Sequence, residues 1–319
     1  MEKILVTGAN GFVGKAVCAE LIARGLRVAA AVRNAAATSM PDMHPLVELV
    51  EVGNIDCRTD WAHALTGCSG VIHLAARAHV LNDTTIDPLA AFRETNVAGT
   101  VQLARCAARA GVKRFVFVSS VGVNGNSNTR PFVESDVPSP VEPYAVSKLE
   151  AEQILAEEAG ANGMELVIVR PPLVYGPECP GNFRRLLKLL GSGMPLPFAA
   201  IQGKRSFVSV WNLADFLATC VVDERAHGDI FLVSDMEDVT LPDLLRGLAS
   251  GMGTRAPLFS LSPVLLRTLA NVAGNSALFE KLCGSLTVDA NHARMALGWK
   301  PPVSLEEGLR RTGKWYAGR

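Results

Sequence analysis

Short apolar runs rich in valine and isoleucine alternate with alanine- and leucine-rich stretches of helical period along the first half of the chain. This alternation is typical of repeated strand–helix–strand units around a parallel sheet. The predicted strands are Lys3–Thr7, Arg27–Val32, Val47–Val52, Gly70–Leu74, Arg114–Val118 and Glu165–Arg170. The helices predicted between them are Phe12–Arg24, Trp61–Leu65, Leu89–Ala110 and Pro143–Ala159. Such a chain is expected to form an α/β, doubly wound parallel sheet with its ligand crevice at the carboxyl ends of the strands.

Three glycines follow the first predicted strand and open the first predicted helix. They stand in Thr7-Gly-Ala-Asn-Gly-Phe-Val-Gly, with the spacing G-x-x-G-x-x-G. Glycine permits a tight turn, close approach of the backbone to a pyrophosphate, and close packing of the helix on the sheet. The amides and the dipole at the helix N-terminus favour phosphate groups. We therefore predict a dinucleotide site formed by Gly8, Asn10, Gly11, Phe12, Val13 and Gly14.

The end of the second predicted strand bears on the choice of cofactor. A site for NAD usually carries an Asp or Glu there for the ribose hydroxyls, but this strand ends in Ala-Ala-Val-Arg33-Asn34. Arg33 can offer a planar fork to a 2′-phosphate, which favours NADP(H), with NAD(H) as the alternative. An ordinary solvated loop arginine is the structural alternative. After the third strand, Asn54 and Ile55 are predicted to border the adenine ring.

A tyrosine and a lysine four residues apart begin a predicted helix. In Tyr144-Ala-Val-Ser-Lys148 this spacing places the phenol and the ammonium on one helix face. A free phenol, with a pKa near ~10, transfers protons poorly at neutral pH. Lys148, together with the positive charge of an oxidised nicotinamide, would favour the phenolate. Tyr144 is therefore a candidate for proton transfer at a substrate oxygen while hydride moves at carbon.

Further polar residues are predicted near the same crevice. The fifth strand runs into Ser119-Ser120, which places a hydroxyl where it can bond the same substrate oxygen. Asn96, on the preceding helix, is predicted to hold a water or a backbone carbonyl near Lys148. His73 follows a buried strand and is predicted to be a core histidine and not a catalyst.

These segments, taken together, resemble the extended short-chain dehydrogenases/reductases of the sugar-nucleotide epimerase/dehydratase family, over essentially the whole chain. The motifs that carry the resemblance are Thr7 to Gly14, His73-Leu-Ala-Ala76, Asn96, Ser119-Ser120, Tyr144-x-x-x-Lys148 and Arg170-Pro-Pro-Leu-Val-Tyr-Gly-Pro177. The resemblance implies a Rossmann-type sheet with a smaller α/β substrate-binding lid region. It implies the catalytic set Ser120, Tyr144 and Lys148. The further cofactor contacts assigned on this basis are Leu74, Ala75, Ala76, Asn96, Ser119, Tyr144, Lys148, Pro171 and Val174.

Within that family, the residues after the catalytic serine separate the reactions. The resemblance implies that 4,6-dehydratases carry an Asp-Glu pair there, whereas this chain has Val121 and Gly122, which disfavours dehydration. Two interpretations remain. An epimerase oxidises and then re-reduces a sugar 4-hydroxyl with tightly held NAD, and a reductase delivers hydride once from NADPH to a 4-keto sugar. Arg33 and the missing acid favour the reductase.

The stretches 124–136 and 75–80 also resemble bacterial surface-polysaccharide (O-antigen) enzymes that reduce UDP-4-keto-6-deoxy-N-acetylhexosamines. This is the preferred prediction, with a UDP-hexose or UDP-N-acetylhexosamine 4-epimerase as the alternative. A reductase of small lipophilic ketones is the second alternative, because such family members share the Arg33-type cofactor end. A protein that kept the fold but lost the chemistry is disfavoured by the intact Ser120, Tyr144 and Lys148.

A UDP-sugar requires cations for its pyrophosphate and a pocket for its uracil. Arg205 matches the family arginine that reaches the diphosphate, while Asn182 and Arg184 open a predicted helix whose amides would hold the nucleotide. The remaining candidate substrate contacts are His79, Ser120 and Val121. The late arginine of family epimerases has no clear match around residues 281–286.

The rhythm of the sequence changes after about Tyr175, where glycine and proline cluster. We therefore predict a dinucleotide-binding domain over 1–175 and a smaller substrate-binding region over 176–319, which can return segments to the first sheet. The predicted lid helices lie near Asn182–Leu190, Leu213–Val222, Leu241–Met252 and Leu305–Trp315.

Composition excludes several classes of function. The 31 Lys and Arg residues balance the 31 Asp and Glu residues, which removes the usual electrostatic case for nucleic acid. The apolar stretch 258–274 is interrupted by polar residues, so we predict a buried or amphipathic helix and not a membrane span. The N-terminal apolar run is too short for a signal peptide, which predicts a cytoplasmic protein.

Cysteine usage bears on the redox compartment, and helix length bears on the oligomeric state. The seven cysteines are scattered without a C-x-x-C pair, which is typical of a reducing compartment, and no residue set has metal-ligand spacing. The long helices 89–110 and 143–159 resemble those that family members pair across a two-fold axis, so a homodimer is expected.

Overall fold

The computed structural model describes residues 2–36, 44–78, 87–272, 274, 279–280 and 283–318. Its strands are β1 (Lys3–Thr7), β2 (Arg27–Val32), β3 (Val47–Glu51), β4 (Gly70–His73), β5 (Arg114–Val118), β6 (Glu165–Arg170), β7 (Leu173–Tyr175), β8 (Lys204–Arg205), β9 (Phe207–Ser209), β10 (Ile230–Leu232) and β11 (Val239–Thr240). Seven of them form one parallel sheet in the order β10-β6-β5-β4-β1-β2-β3. The order reverses between β1 and β4, and this is where an open α/β sheet leaves its ligand crevice.

Helices cover both faces of this sheet and build the second region. They are α1 (Phe12–Ala23), α2 (Ala62–Leu65), α3 (Pro88–Arg93), α4 (Thr100–Arg109), α5 (Pro143–Asn162), α6 (Gly181–Gly191), α7 (Val210–Val222), α8 (Leu241–Gly251), α9 (Pro263–Val272), α10 (Asn291–Leu297) and α11 (Leu305–Ala317). A π-helical segment (Glu94–Gly99) joins α3 to α4, and short 3₁₀ segments span Val121–Val123 and Glu224–Ala226. Among the described helices, none combines the length and the apolar character needed to cross a membrane.

The predicted doubly wound α/β fold is confirmed, and all six predicted strands are present. β3 and β4 each end one residue earlier than predicted, so Val52 and Leu74 lie in the connections. The sheet also has a seventh strand, β10, which the sequence analysis missed because it has only three residues. β10 pairs with β6 and therefore returns the second half of the chain to the first sheet.

The prediction of one continuous helix over Leu89–Ala110 was wrong. The chain forms α3, then the π-helical segment, then α4. The wide turn holds Asn96 fully buried and brings Gly99 against Ile55, where an added Cβ would lie 2.6 Å from Ile55 Cγ2. Tertiary contacts therefore account for the irregularity, which the helical period of the sequence does not reveal.

Two apolar layers enclose the sheet and a third forms the core of the second region. One face packs on α1 and α7, through Val17, Leu21, Leu213 and Leu217. The other face packs on α4 and α5. α7 was predicted as part of the lid, and this was wrong, since it packs on α1 and on the sheet. The other predicted lid helices, α6, α8 and α11, share a separate core.

The apolar stretch 258–274 contains α9, whose Leu266 is buried in the core of the second region. The side chains of Val264, Leu265, Leu269 and Val272 are exposed. The stretch is thus a surface helix attached through one face.

Candidate active site

The turn from β1 into α1 has the geometry of a phosphate cradle. Gly8 has a left-handed backbone (φ 65°), which favours glycine, and its carbonyl accepts from the Gly11 amide at 2.9 Å. A Cβ at Gly14 would collide with that same carbonyl oxygen. Gly11 is the N-cap of α1 without a side-chain cap, and the first turn of the helix holds no acidic residue. The helix N-terminus therefore suits an anionic pyrophosphate.

The opposite wall of the cradle follows β4. Gly8 packs on the backbone of Ala75, since an added Cβ would lie 3.1 Å from Ala75 N. Thr7 Oγ1 accepts from the amides of Leu74 and Ala75, both at 3.1 Å. The predicted cofactor residues Leu74, Ala75 and Ala76 thus lie beside the glycine turn, partly buried.

His73 buttresses this wall from inside. Its Nδ1 lies 2.7 Å from Thr7 Oγ1 and its Nε2 lies 2.9 Å from Thr100 Oγ1. Because Thr7 Oγ1 already accepts two amide hydrogens, its own hydrogen donates to Nδ1, which leaves the Nε2 hydrogen for Thr100. Burial, with a smaller contribution from Lys148, lowers the pKa of His73 to about 3. The prediction of a core histidine is confirmed.

The residues predicted to border the adenosine are more exposed. Arg33 directly follows β2 and is exposed, as is Asn54, while Ile55 is partly buried. Glu51, the last residue of β3, accepts from the Ala35 amide at 2.9 Å. This carboxylate, at the end of the neighbouring strand, was not among the predicted cofactor residues.

Tyr144 and Lys148 occupy the first turns of α5. Tyr144 follows Pro143 at the helix start and is partly buried, with its ring edge-on to Phe92 at a centroid distance of 6.0 Å. Burial raises the pKa of Tyr144 to about 12. Lys148 is 2% exposed, and its Nζ lies 4.1 Å from the centre of the Phe117 ring. Burial lowers the pKa of Lys148 to about 7, against a smaller opposing effect of Glu152.

The pKa of Tyr144 bears on one expectation. Lys148 was predicted to favour the Tyr144 phenolate together with the charge of an oxidised nicotinamide, and this stays a prediction. In the chain without cofactor, burial favours the phenol. At neutral pH the protonated phenol therefore predominates.

The two serines lie where β5 ends. Ser120 is the N-cap of the 3₁₀ segment, and its Oγ accepts from the Gly122 amide at 3.1 Å, which leaves the hydroxyl hydrogen to donate. Gly122 packs on α5, since an added Cβ would lie 3.3 Å from Ala145 Cβ. The structure thus brings the Ser120 segment next to the Tyr144 turn. Ser119 Oγ is buried and, among the described residues, has no hydrogen-bond partner, which fits a group that binds a ligand.

Asn96 supports the catalytic turn from behind. It accepts from the Arg77 amide at 2.8 Å and donates to the Arg77 carbonyl at 3.1 Å and to Ser147 Oγ at 3.0 Å. Ser147 Oγ in turn donates to the Tyr144 carbonyl at 2.8 Å. The prediction that Asn96 holds a backbone carbonyl is confirmed. Both amide hydrogens are used within the protein, which gives Asn96 a supporting position behind the turn, and its contact with a cofactor stays a prediction.

The residues on the nicotinamide side are more buried. Pro171 is buried and its carbonyl accepts from the Val121 amide at 3.0 Å, while Val174 lies in β7, which pairs with β9. The side chain of Val121 was predicted to contact substrate, but it packs in a buried cluster with Leu232 and Val288. The 3₁₀ turn after Ser120 rotates it toward the core.

The predicted substrate residues lie in the second region. Arg205 on β8 is largely buried, which lowers its pKa, and its Nη1 donates to the Gly284 carbonyl at 3.0 Å. Arg184 is exposed on α6. Asn182 belongs to the first turn of α6, but its side chain and the whole of His79 lie outside the described residues.

Two further points about the site concern metal ligands and a buried ion pair. Over the described ranges, no group of three or more His, Cys, Asp and Glu side chains is placed to hold a metal ion. Below Lys148, the buried pair Glu152–Arg170 was missed by the sequence analysis. The i, i+4 spacing from Lys148 to Glu152 was the available signal.

Comparisons with known proteins agree with this geometry. The family model described as "NAD dependent epimerase/dehydratase family" matches residues 4–234. A UDP-glucose 4-epimerase of Vibrio cholerae is 40% identical, covering 99% of this chain and 95% of that protein. A 2-alkyl-3-oxoalkanoate reductase of Stenotrophomonas maltophilia is 30% identical, covering 97% and 98%. The fold is shared with a crystal structure of Thermotoga maritima UDP-glucose 4-epimerase, at a TM-score of 0.78, 24% identity and 99% coverage of both chains. This chain therefore belongs to the NAD dependent epimerase/dehydratase family and is an extended short-chain dehydrogenase/reductase that uses a nicotinamide cofactor.

Proposed function

We propose that this enzyme reduces the 4-keto group of a UDP-4-keto-6-deoxy-N-acetylhexosamine with NADPH, in bacterial surface-polysaccharide synthesis. The observation that carries the proposal is the end of β2, where the exposed Arg33 stands in place of the acid typical of NAD sites. A guanidinium there suits the 2′-phosphate of NADPH, a cofactor that is consumed in one reduction and then released.

The catalytic set suits proton donation to a ketone. When bound, the nicotinamide supplies hydride to C4. Ser120 offers its hydroxyl hydrogen to the carbonyl oxygen, because its own Oγ is already an acceptor for Gly122. Tyr144 holds its proton at neutral pH, since burial raises its pKa to about 12, and it gives this proton to O4. Lys148, one turn along α5, stabilises the phenolate that remains.

The substrate end supports a phosphorylated ligand. The Arg205 guanidinium is held by its bond to the Gly284 carbonyl, and within the described part of the chain its other donors have no hydrogen-bond partner, which suits a diphosphate. The N-terminus of α6 has no side-chain cap and no acidic residue in its first turn, so its amides suit the same ligand. Dehydration is disfavoured because neither Val121 nor Gly122 supplies a carboxylate.

A second candidate is a UDP-sugar 4-epimerase that retains NAD. The observation that favours it is the 40% identity to a protein named UDP-glucose 4-epimerase. The 30% identity to a 2-alkyl-3-oxoalkanoate reductase similarly supports a lipophilic ketone as substrate. The three functions use the same catalytic residues and differ in cofactor turnover and substrate.

Nicotinamide absorbance distinguishes them. The purified enzyme is mixed with NADPH and UDP-4-keto-6-deoxy-N-acetylglucosamine, with NADH alongside, and we expect stoichiometric loss of NADPH. The proposal fails if NADPH is stable while UDP-glucose or UDP-N-acetylglucosamine interconverts with its 4-epimer without added cofactor. Turnover of a lipophilic ketone alone would also overturn it.

Tyr144→Phe tests the role of the phenol. Removing the proton donor is expected to lower kcat by a factor of about 100 or more while NADPH binding stays within about twofold. Steady-state kinetics and fluorescence titration with NADPH measure the two effects. The matched control is Tyr316→Phe on α11, which we expect to be active. A Tyr144→Phe enzyme with unchanged kcat would remove the proposed mechanism.

A further inference from the structure

A buried ionic junction lies one helical turn beyond Lys148 on α5. Glu152 stands one turn further along α5, and its carboxylate accepts two bonds from Arg170: Nε to Oε1 at 3.0 Å and Nη2 to Oε2 at 2.6 Å. Arg170 Nη1 donates to Asn124 Oδ1 at 3.2 Å. Glu152, Arg170 and Asn124 are 4%, 3% and 2% exposed. Burying a charged pair costs desolvation free energy. The donors and acceptors of the pair therefore need hydrogen-bond partners within the protein.

The junction joins the three segments that carry the candidate chemistry. Glu152 belongs to α5, which presents Tyr144 and Lys148. Arg170 is the last residue of β6 and directly precedes Pro171. Asn124 directly follows the 3₁₀ segment that begins after Ser120. A single cluster of three side chains therefore fixes the catalytic helix, the nicotinamide-side segment and the serine segment relative to one another.

We propose that Glu152, held by Arg170, is a positioning residue that supplies the buried countercharge of Lys148 and locks Lys148 in register with the Ser120 segment. The proposal rests on the proposed function in one respect, since the activity that Glu152 is expected to affect is the 4-reduction. The Tyr144-x-x-x-Lys148 motif ends before Glu152 and assigns it no role in the reaction.

The charges around Lys148 support this assignment. On its own helix, Glu152 favours the ammonium, and Tyr144, one turn earlier, is an uncharged phenol. On β4 it faces His73, which is neutral at the pH of the assays. On β6 lies the Arg170 cation, which is paired with Glu152. Glu152 is thus the group that favours the ammonium form of Lys148 against the larger effect of burial.

Glu152→Gln preserves the size of the side chain and removes its charge. We expect kcat for the 4-reduction to fall at least about tenfold, with KM for the UDP-sugar changed less than about threefold. Arg170→Lys loses the two-point contact of the guanidinium with Glu152, so kcat should also fall in this variant. The matched control is Glu165→Gln, because Glu165 pairs with Arg114 at the far end of β6. We expect this variant to keep wild-type kinetics.

A second readout needs no substrate. Protein labelled with ¹³C at the lysine ε-carbons is titrated by NMR, and the Lys148 signal is identified by its loss in Lys148→Arg. In Glu152→Gln the Lys148 midpoint is expected to fall by about one pH unit, since the countercharge is gone and Arg170 is unopposed. If the wild-type chain reduces no UDP-sugar, the proposed function fails while this titration still decides the role of Glu152.

The double variant Glu152→Leu/Arg170→Met provides a test if the single variant Glu152→Gln does not fold. Apolar replacement of a whole buried ion pair is commonly tolerated. We expect it to fold, by circular dichroism, with the low kcat and the lowered Lys148 midpoint. Recovery of wild-type kcat and midpoint in the double variant would show that the pair is merely structural. Wild-type kinetics and an unchanged midpoint in Glu152→Gln would equally overturn the proposal.

Discussion

Lys148 illustrates how a single residue can trade stability for chemistry. Burial lowers its pKa to about 7, whereas in an unfolded chain it is about 10.4. Between these values the unfolded chain binds a proton that the folded chain lacks, so folding stability rises with pH across this window. The destabilisation from Lys148 is complete below about pH 7 and disappears above about pH 10.4.

Lys148→Met should therefore stabilise the cofactor-free protein by a few kcal/mol at about pH 6, with a gain that shrinks toward pH 10. Urea unfolding at several pH values measures this gain. Lys113→Met, at an exposed position, serves as the control with little change at any pH. A gain for Lys148→Met that does not vary with pH would contradict the assigned pKa.

Arg33 determines the cofactor prediction. Arg33→Ala is expected to raise the Kd for NADPH about tenfold or more and to change the Kd for NADH less than about threefold, because only NADPH has the 2′-phosphate. Fluorescence titration with both cofactors provides the comparison, and Arg27→Ala, at the opposite end of β2, is the control. Equal losses for the two cofactors would remove the argument for NADP(H).

Single residues were predictable from sequence where a motif names them. The glycine turn, the serine pair and the Tyr144–Lys148 spacing all occur next to the predicted element ends. Glu152 was missed because its partner Arg170 is 18 positions away along the chain and meets it only in the folded protein. Val121 was assigned to the wrong surroundings for the same reason, since a one-dimensional pattern does not show how a 3₁₀ turn rotates a side chain.

Helices and strands were likewise only partly predictable from the sequence. Long periodic segments such as α5 were predicted within a few residues, whereas the π-helical segment needs the contact of Gly99 with Ile55 to explain it. β10 is too short to stand out in the sequence, and α7 was assigned to the lid because an apolar helix carries no information about which core it joins.

Gly14→Ala tests the contact between α1 and the β1 turn. The added methyl would collide with the Gly8 carbonyl and lie 2.8 Å from Ala9 Cα, so the helix must shift and the phosphate cradle must widen. We expect a stability loss of about 1–3 kcal/mol and weaker cofactor binding, by about tenfold or more. Gly160→Ala on α5 is the control, since its Cβ meets nothing within 4 Å. Normal cofactor affinity in Gly14→Ala would contradict the cradle.

The whole molecule is tied together across the boundary predicted at residue 175. Tyr175 donates to Asp235 Oδ2 at 2.8 Å, and Asn212 donates both to Asp235 Oδ1 and to the Val303 carbonyl, each at 2.7 Å. This buried network joins β7 to α7 and to the segment before α11. The sequence predicted a change of rhythm there, but the shared polar network and the return of β10 to the sheet depend on contacts between distant residues.

The outer face of α3, α4 and α5 carries the prediction of a homodimer. It contains a cleft of about 570 Å³ whose lining combines apolar residues, Ala90, Val97, Ala98, Val101 and Ile154, with the charged or polar Arg93, Glu94, Gln102, Arg105 and Glu150. Its flanking charges pair within the chain, as Arg93 with Glu150 and Arg105 with Glu158. Both arginines of this face are thus paired within the chain, which favours its contact with a second copy of the same face in a two-fold helix bundle.

Ile154→Arg places an unpaired cation in this cleft and should dissociate the dimer, because a buried unpaired charge is strongly unfavourable at an interface. Light scattering after size exclusion is expected to give twice 33.9 kDa for the wild type and 33.9 kDa for the variant. Met295→Arg on α10, where the side chain is 78% exposed, is the control and should remain dimeric. A wild-type chain that is monomeric at micromolar concentration would contradict the proposed assembly.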